Sequence, residues 1–291
     1  MCLRSIINRQ LEEYKNESVA LLFSGGMDSL SLMLSCLDVG IKPTLYSFKI
    51  ENIDSDDIKA SRRIASIYNL NLVEVIIPTD LSKLLEDIKF IIEHFNVKKK
   101  TQVQCIQPFL YIIKEVKEDI VLSGLCADDL YGTTRKMQEV GRRSDSEFYK
   151  VRLDKQNDLK SSSYCYIKQI FDEVGKQFVA PYKDNQELVD YFLDKGLNEL
   201  HKPKLKQKTY ENYKDDIDKN KLYRKNSSLQ VNSGLREHCK PVPVVCVETG
   251  MVFPSITAAS EWCGASSGRI SQICSGKNGL MFHKENHNFE S

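Results

Sequence analysis

The sequence predicts an α/β protein: a doubly wound parallel sheet, then a mostly helical stretch and a small second domain. Three observations predict this fold class. Short apolar runs alternate with helical periodicity through the first half of the chain, which is the pattern of β-α-β units. Two of these runs end in glycine turns, and a hairpin pattern occurs near the C-terminus. The length of 291 residues fits two domains of about 150 residues each, or one large and one small.

The first half contains four predicted strands, and a helix separates each from the next. The predicted strands are 19–23, 43–50, 72–77 and 119–124. Helical periodicity covers Leu30–Leu37, Asp54–Tyr68, 81–95 and 102–117. Because the strands of such units run parallel, ligands are expected at the carboxyl ends of the strands.

The second half is less regular. Residues 135–238 are polar and mostly helical in pattern, and 241–255 then change to a hairpin with Thr249 and Gly250 at its turn. Two short helices are predicted at 256–263 and 267–274. The change of period near Cys239 divides the chain into predicted domains 1–238 and 239–291.

The composition excludes some classes of protein. A formal charge of +1 excludes a uniformly basic protein that coats nucleic acid. Basic residues nevertheless outnumber acidic ones between 201 and 240, which indicates an anionic ligand. No stretch approaches the roughly 18 apolar residues of a membrane span. The nine cysteines form no CxxC pair, so the sequence predicts a cytoplasmic protein with free thiols and no membrane partner.

The strongest motif is SGGMDS at 24–29, directly after the first strand and at the start of a helix. Gly25 and Gly26 let the backbone approach an anion closely, and the first N–H groups of the helix point toward it. Ser24 and Ser29 add hydroxyl donors. Asp28 would repel a bare phosphate, so its carboxylate fits a phosphate site that also binds a cation such as Mg²⁺.

Five segments occur in order: SGGMDS (24–29), SFKIENID (47–54), SGLCADDLYG (123–132), VAPYKD (179–184) and RKNSSLQVNSG (224–234). On these residues the chain resembles the PP-loop ATP pyrophosphatases, and among them the asparagine synthetase branch, over about residues 19–236. The resemblance implies the PP-loop, adenine nucleotide alpha hydrolase-like fold. It also implies cleavage of ATP between its α and β phosphates with Mg²⁺: a carboxylate attacks ATP to form an acyl-adenylate, and an amine then displaces AMP.

The resemblance assigns site residues by position. The residues expected to line the adenosine site are Leu22, Ile50, Ser123 and Gly124. Those expected to hold the pyrophosphate are Ser24, Gly25, Gly26 and Ser29. Asp28 and Asp128 are expected to share the magnesium. Lys225 is expected to stabilise the transition state at the α-phosphate, and Asp129 to act as an acid, a base or a residue that holds others in place.

Three positions depart from the family's pattern. Its glutamate after Ser-Gly is Leu125 here, its next glycine is Cys126, and its second glutamate is shortened to Asp129. The missing glutamate leaves the acceptor substrate open. The loop begins at Ser24, which leaves no room before it for the glutaminase domain of the glutamine-dependent enzymes. Ammonia is therefore expected to be free or to come from a separate donor protein.

Residues 241–291 resemble the modular helix-turn-helix repeat of phage and intron homing endonucleases. The resemblance lies in CVETGMVFPSITAASEWCGASSGRISQICSGK at 246–277. It implies a small core of Ala258, Ala259, Trp262, Ile270 and Ile273. It also implies a DNA-binding surface formed by Ser266, Ser267, Arg269, Ser271, Gln272 and Lys277. Such a module on an unrelated enzyme indicates a viral or mobile-element genome.

Three functions are compatible with the sequence. The first is an AMP-forming ligase that adenylates a carboxylate for amide formation, as in amino-acid biosynthesis. The second is a PP-loop enzyme that modifies a nucleobase of tRNA or DNA. The third is a non-catalytic nucleotide-binding protein tethered to DNA.

Overall fold

The computed structural model describes residues 2–97, 99–223, 244–246, 249–253, 256–274 and 289–290. The chain divides into two compact units, Met1–Gly234 and Leu235–Ser291.

A five-stranded, wholly parallel sheet forms the centre of the first unit. Its strands are Val19–Leu22 (β1), Thr44–Ile50 (β2), Leu72–Ile77 (β3), Ile120–Ser123 (β4) and Gln177–Val179 (β5). Their order is β3-β2-β1-β4-β5, so the chain builds outward from β1 in one direction and then returns to build in the other. This topology confirms the predicted doubly wound α/β class. It also places the switch point between β1 and β4, where such sheets bind ligands.

Fourteen α-helices are described in the first unit. They are Leu3–Leu11 (α1), Met27–Asp38 (α2), Asp56–Tyr68 (α3), Leu81–Phe95 (α4), Lys100–Glu115 (α5), Ala127–Tyr131 (α6), Arg135–Gly141 (α7), Asp145–Asn157 (α8), Tyr164–Asp172 (α9), Pro181–Asp184 (α10), Gln186–Leu193 (α11), Leu197–His201 (α12), Gln207–Asn212 (α13) and Lys214–Asn220 (α14). Side-chain caps fix several helix starts. Ser55 accepts from the Ile58 amide, and Asp80 accepts from the Lys83 amide.

The core consists of two apolar layers, one on each face of the sheet. The alternation of β1 connects them: Val19 and Leu21 pack with helices α1 to α3, whereas Ala20 and Leu22 pack with α4, α5 and α9. All four residues are buried. A strand buried on both faces explains why the first strand has the sequence of a continuous apolar run.

The sequence prediction missed one strand of this sheet. Gln177–Val179 (β5) pairs with β4 at the edge, in a region predicted to be mostly helical. With three residues, of which Gln177 is exposed, this strand has too little periodicity to be distinguished from a loop.

The second unit combines a small antiparallel sheet with two helices. Its elements are Val244–Cys246 (β6), Val252–Phe253 (β7), Ile256–Cys263 (α15), Ser267–Cys274 (α16) and Phe289–Glu290 (β8). The sheet order is β7-β6-β8, and β8 was not predicted. The hairpin turn contains Gly250 at φ +68°, and the Gly250 amide donates to the Cys246 carbonyl.

The core of this small unit differs from the expected one at Trp262. Ala259, Ile270 and Ile273 are buried as expected, and Ala258 packs against the same cluster. Trp262 is 41% exposed, and its ring centroid lies 5.1 Å from that of the buried Phe253. Assigning Trp262 to the buried core was therefore wrong.

Among the described residues, no helix combines the length and apolar character that a membrane crossing requires.

Candidate nucleotide and metal site

The glycine loop at 24–29 joins β1 to α2 and is held by its own serines. The Gly26 amide donates to Ser24 Oγ at 3.3 Å, and Ser29 Oγ donates to the Gly26 carbonyl at 3.2 Å. Gly26 caps α2, which begins at Met27. The first amides of a helix have no partner within it, so the start of this 12-residue helix offers N–H donors to an anion.

Close packing explains the two glycines that flank the site. Gly25 has φ +67°, and a Cβ there would lie 2.8 Å from the Ala60 Cβ on α3. Gly124, after β4, packs directly on the first loop: a Cβ there would lie 3.0 Å from the Asp28 backbone carbon and from the Ser29 amide nitrogen. The two loops of the site therefore touch without an intervening side chain.

The second loop continues into the short helix α6. Cys126 precedes that helix with φ +68°, the left-handed conformation that favours glycine, and is buried. Leu125 packs against the apolar layer formed by α4, α5 and α9. The loop thereby directs Asp128 to one side, while on the other it buries Cys126 and packs the partly buried Leu125.

The two aspartates expected to share a metal converge on one lysine. Lys206 Nζ lies 2.5 Å from Asp28 Oδ2 and 2.8 Å from Asp128 Oδ1. The lysine side chain is only 5% exposed, whereas Asp28 is 18% and Asp128 60% exposed. An ammonium group therefore lies beneath a carboxylate pair that is open to solvent through Asp128.

A second set of hydrogen bonds positions Lys206. The residue has φ +58° and lies directly before α13. In that helix, Thr209 contacts the Tyr131 hydroxyl through its amide at 2.8 Å and through its hydroxyl at 2.7 Å. The His201 ring lies 2.7 Å from the Tyr131 carbonyl through Nε2. Because Tyr131 ends the helix that carries Asp128, these bonds connect the lysine segment to the acidic loop.

The charges at this site shift one another's titration. Burial raises the pKa of Asp28 to about 6, and Asp128 contributes in the same direction. Desolvation works against ionisation of Asp128, but the Lys206 ammonium outweighs it and holds the pKa of that carboxyl below its usual value. Burial also disfavours the charged lysine, yet the two carboxylates raise the pKa of Lys206. The cluster therefore holds one firmly protonated lysine between two acids.

The acidic pair fits a magnesium ion that arrives with phosphate. Asp28 Oδ1 is buried and has no hydrogen-bond partner among the described residues, so it has lone pairs available for a cation. The described residues contain no group of three or more His, Cys, Asp or Glu side chains that could hold a metal ion. Mg²⁺ binds proteins through one or two carboxylates and completes its shell with water and substrate phosphate, which is what this pair offers.

Asp129 lies on the other side of the loop. It is buried, and its Oδ2 accepts from the hydroxyls of Ser161 and Ser162 at 2.8 and 2.9 Å. Burial raises the pKa of Asp129, although the two hydroxyls partly offset the effect. These contacts fit a residue that holds the 161–163 turn in place. Because both hydroxyls already bond to Oδ2, this oxygen is not available to a ligand.

The remaining predicted residues differ in accessibility. Leu22 and Ser123 pair in register at the ends of β1 and β4, close to both loops. Ile50 ends β2 and its side chain is fully buried, so only its backbone could face an adenosine. Lys225 lies outside the described residues.

Sequence reasoning missed Lys206, the only cationic side chain among the described residues that contacts both aspartates. The signal present was its position in the basic run between 201 and 240, which was expected to face an anion. Lys225 was instead predicted to be the lysine that stabilises the transition state at the α-phosphate. Nothing in the local pattern distinguishes Lys206 from its neighbours Lys204 and Lys208.

A doubly wound parallel sheet with a glycine loop and converging aspartates at its switch point defines an α/β protein of the PP-loop type. The family model described as asparagine synthase matches residues 3–236, and the chain belongs to this family. The match ends at residue 236, at the very start of the second unit, so the helix-turn-helix resemblance stays a prediction.

Two solved structures are similar to the chain at low identity. One, described as a predicted subunit of tRNA methyltransferase from Methanocaldococcus jannaschii, is 16% identical with a TM-score of 0.35, covering 72% of this chain and 93% of that one. The other, NMN synthetase from Francisella tularensis, is 15% identical with a TM-score of 0.34, covering 78% of this chain and 96% of that one. No curated protein matches the chain.

Proposed function

We propose that the first unit is an ATP-dependent, AMP-forming ligase that uses Mg²⁺ to adenylate a carboxylate before amide formation. One observation carries the proposal. Asp28 and Asp128 follow adjacent strands, converge within reach of one cation, and lie beside a glycine loop whose helix offers N–H donors. This arrangement suits a triphosphate with its metal, and family membership supports it.

The residues divide the work as follows. Ser24, Gly25, Gly26 and Ser29 would hold the β and γ phosphates through backbone amides and hydroxyls. Asp28 Oδ1 and Asp128 would hold Mg²⁺, which neutralises charge on the departing pyrophosphate. An acceptor carboxylate oxygen attacks the α-phosphorus, and pyrophosphate leaves with the electrons of the broken P–O bond. An amine nitrogen then attacks the acyl carbon, AMP leaves, and the extra proton passes to water.

In this proposal the acceptor carboxylate is not that of aspartate. Leu125 provides an apolar side chain where the family's pattern has glutamate, and Asp129 is engaged by Ser161 and Ser162. The ammonia would come from solution or from a separate protein. Because position 125 is not a glutamate, its side chain could not take a proton from the attacking nitrogen.

Pyrophosphate release provides the test. Purified protein is mixed with Mg²⁺, ATP and a panel of carboxylates and amines, and pyrophosphate and AMP are measured. Asp28→Asn and Asp128→Asn should each reduce release about 100-fold, because a charge-neutral amide binds the metal poorly. Asp154→Asn, at an exposed position of α8, is the matched control and should retain activity.

Each alternative has a distinct result in the same experiment. Binding of ATP without pyrophosphate release from any acceptor contradicts the ligase and favours a nucleotide-binding protein. Release that requires tRNA or DNA, together with altered nucleosides in mass spectrometry, favours modification of a nucleobase.

For the second unit we propose DNA binding through α16. Four polar residues at its start and along it are exposed: Ser266, Ser267, Ser271 and Gln272. The opposite face is buried through Ile270 and Ile273. An exposed polar face on the second of two packed helices suits the major groove of DNA. Arg269 is half-buried, and Lys277 lies outside the described residues.

Fluorescence anisotropy of the full chain with labelled duplex DNA tests this second proposal. Replacing Ser267 and Ser271 by Glu places negative charge toward the phosphates and should weaken binding about tenfold. Thr249→Glu, in the exposed hairpin turn, is the control and should bind as the wild type does. Equal binding by both variants would contradict a DNA-binding face on α16.

A further inference from the structure

We propose that Lys206 is a built-in counter-ion that occupies the place of Mg²⁺ between Asp28 and Asp128, and that it must release at least one of them when Mg²⁺ enters with the nucleotide. This inference rests on the proposed metal site. It adds a claim about the order of binding. The free protein should bind Mg²⁺ weakly, and the negative charge of the nucleotide should allow Mg²⁺ to bind.

Geometry shows that Lys206 engages one oxygen of each carboxylate. The single Nζ atom lies within 2.8 Å of an oxygen from each aspartate. Mg²⁺ binds oxygen at about 2.0–2.1 Å, which is shorter than both contacts, so the aspartates must close in if the metal takes this place. An ion already in this place therefore has to leave before the metal can enter.

Burial makes sharing unfavourable. The Lys206 side chain is 5% exposed, so little water separates its charge from a neighbouring ion. A divalent cation held by the same two carboxylates would lie close to this ammonium, and like charges repel strongly where water is excluded. Mg²⁺ alone should therefore bind weakly while Lys206 remains.

The structure also provides a place for the displaced ammonium. Lys206 has a flexible side chain of four methylenes, and its Nζ already lies 5.8 Å from the Tyr131 ring centroid, within range of a cation–π contact. An incoming triphosphate adds negative charge at the same site. The nucleotide can therefore compensate the lysine charge that the aspartates give up.

Metal binding without turnover is the first test. Mn²⁺ affinity is measured by electron paramagnetic resonance, with and without α,β-methylene-ATP, which cannot be cleaved between those phosphates. Wild-type protein should bind Mn²⁺ at least about tenfold more tightly with the analogue. Lys206→Met should bind Mn²⁺ alone at least about tenfold more tightly than wild type. Lys202→Met, at an exposed position in the same segment, is the control and should bind as wild type.

Lys206→Gln, which also removes the charge but keeps a polar side chain, tests the same idea should Lys206→Met fail to fold. It should likewise bind Mn²⁺ alone at least about tenfold more tightly than wild type. Unchanged Mn²⁺ affinity in a folded Lys206→Met or Lys206→Gln overturns the inference. Absence of any Mn²⁺-nucleotide binding by the wild type and by every lysine variant contradicts the proposed function itself.

Discussion

Substituting Gly124 by Ala should damage the site through a single added methyl group. The new Cβ would lie 3.0 Å from three atoms of the first loop: the carbonyl carbon and Cβ of Asp28 and the amide nitrogen of Ser29. Favourable carbon contacts lie near 3.5–4.0 Å, so the two loops must separate by several tenths of an ångström. Because two of the three atoms are backbone, no side-chain rotation relieves the clash. Overpacking of this kind costs about 1–3 kcal/mol.

The cost should be observed in two measurements. The melting temperature should fall by about 2–4 °C for each kcal/mol, given a unit of this size. Affinity for Mn²⁺ with α,β-methylene-ATP should fall at least about tenfold, or about 1.4 kcal/mol, because Asp28 and the helix amides move away from the second loop. Calorimetric scanning and titration calorimetry provide the two values.

Gly268→Ala is the matched control. A Cβ at Gly268, in α16, meets no described atom within 4 Å, so the same chemical change should leave the melting temperature unchanged or raise it. Gly124→Ala with wild-type melting and wild-type affinity would refute the close packing of the two loops. Equal losses in both variants would attribute the effect to the loss of glycine rather than to the clash.

Two further predictions concern backbone strain and pH. Cys126→Gly should be about 1 kcal/mol more stable in urea unfolding than Cys126→Ala. Both variants lose the buried thiol, but only glycine relieves the backbone strain at φ +68°. The reverse order of stability would contradict strain at this position. Burial lowers the pKa of His201 below the ordinary 6.5, so protonation favours the unfolded chain and the free energy of unfolding should decrease as pH falls below 6.5. His201→Gln retains an N–H donor for the Tyr131 carbonyl and should flatten this dependence, measured by urea unfolding between pH 5 and 7; an unchanged slope would exclude His201 as its source.

The sheet could be predicted from sequence because its signals are local. The third strand and the helix after it have the predicted bounds, Leu72–Ile77 and Leu81–Phe95. The helix is amphipathic and capped by Asp80, so both its period and its start are present in the sequence. β5 has neither signal, since it is a strand only through its pairing with β4.

The site could be predicted only in part, for the same reason. Asp28 and Asp128 each follow a strand, and adjacent parallel strands bring their carboxyl ends together. Their proximity therefore follows once the order of strands is inferred. Lys206 is 178 residues from Asp28 and arrives through short helices with irregular connections. Its position depends on tertiary bonds such as that between Tyr131 and Thr209, and no periodic pattern encodes those bonds.

The positions where this chain departs from the family's pattern lie on one side of the second loop. Gly124 and Asp128 match the pattern, and they contact Asp28 and Lys206. Leu125 and Cys126 depart from it, and they pack into the apolar layer on the other side. Cys126 still has the left-handed backbone of the glycine expected there, so the course of the loop is kept although the side chain has changed. The loop thus keeps the geometry suited to a metal and a nucleotide while two of its side chains differ from the family's pattern, which supports our proposal of a retained ATP reaction on a substrate other than aspartate.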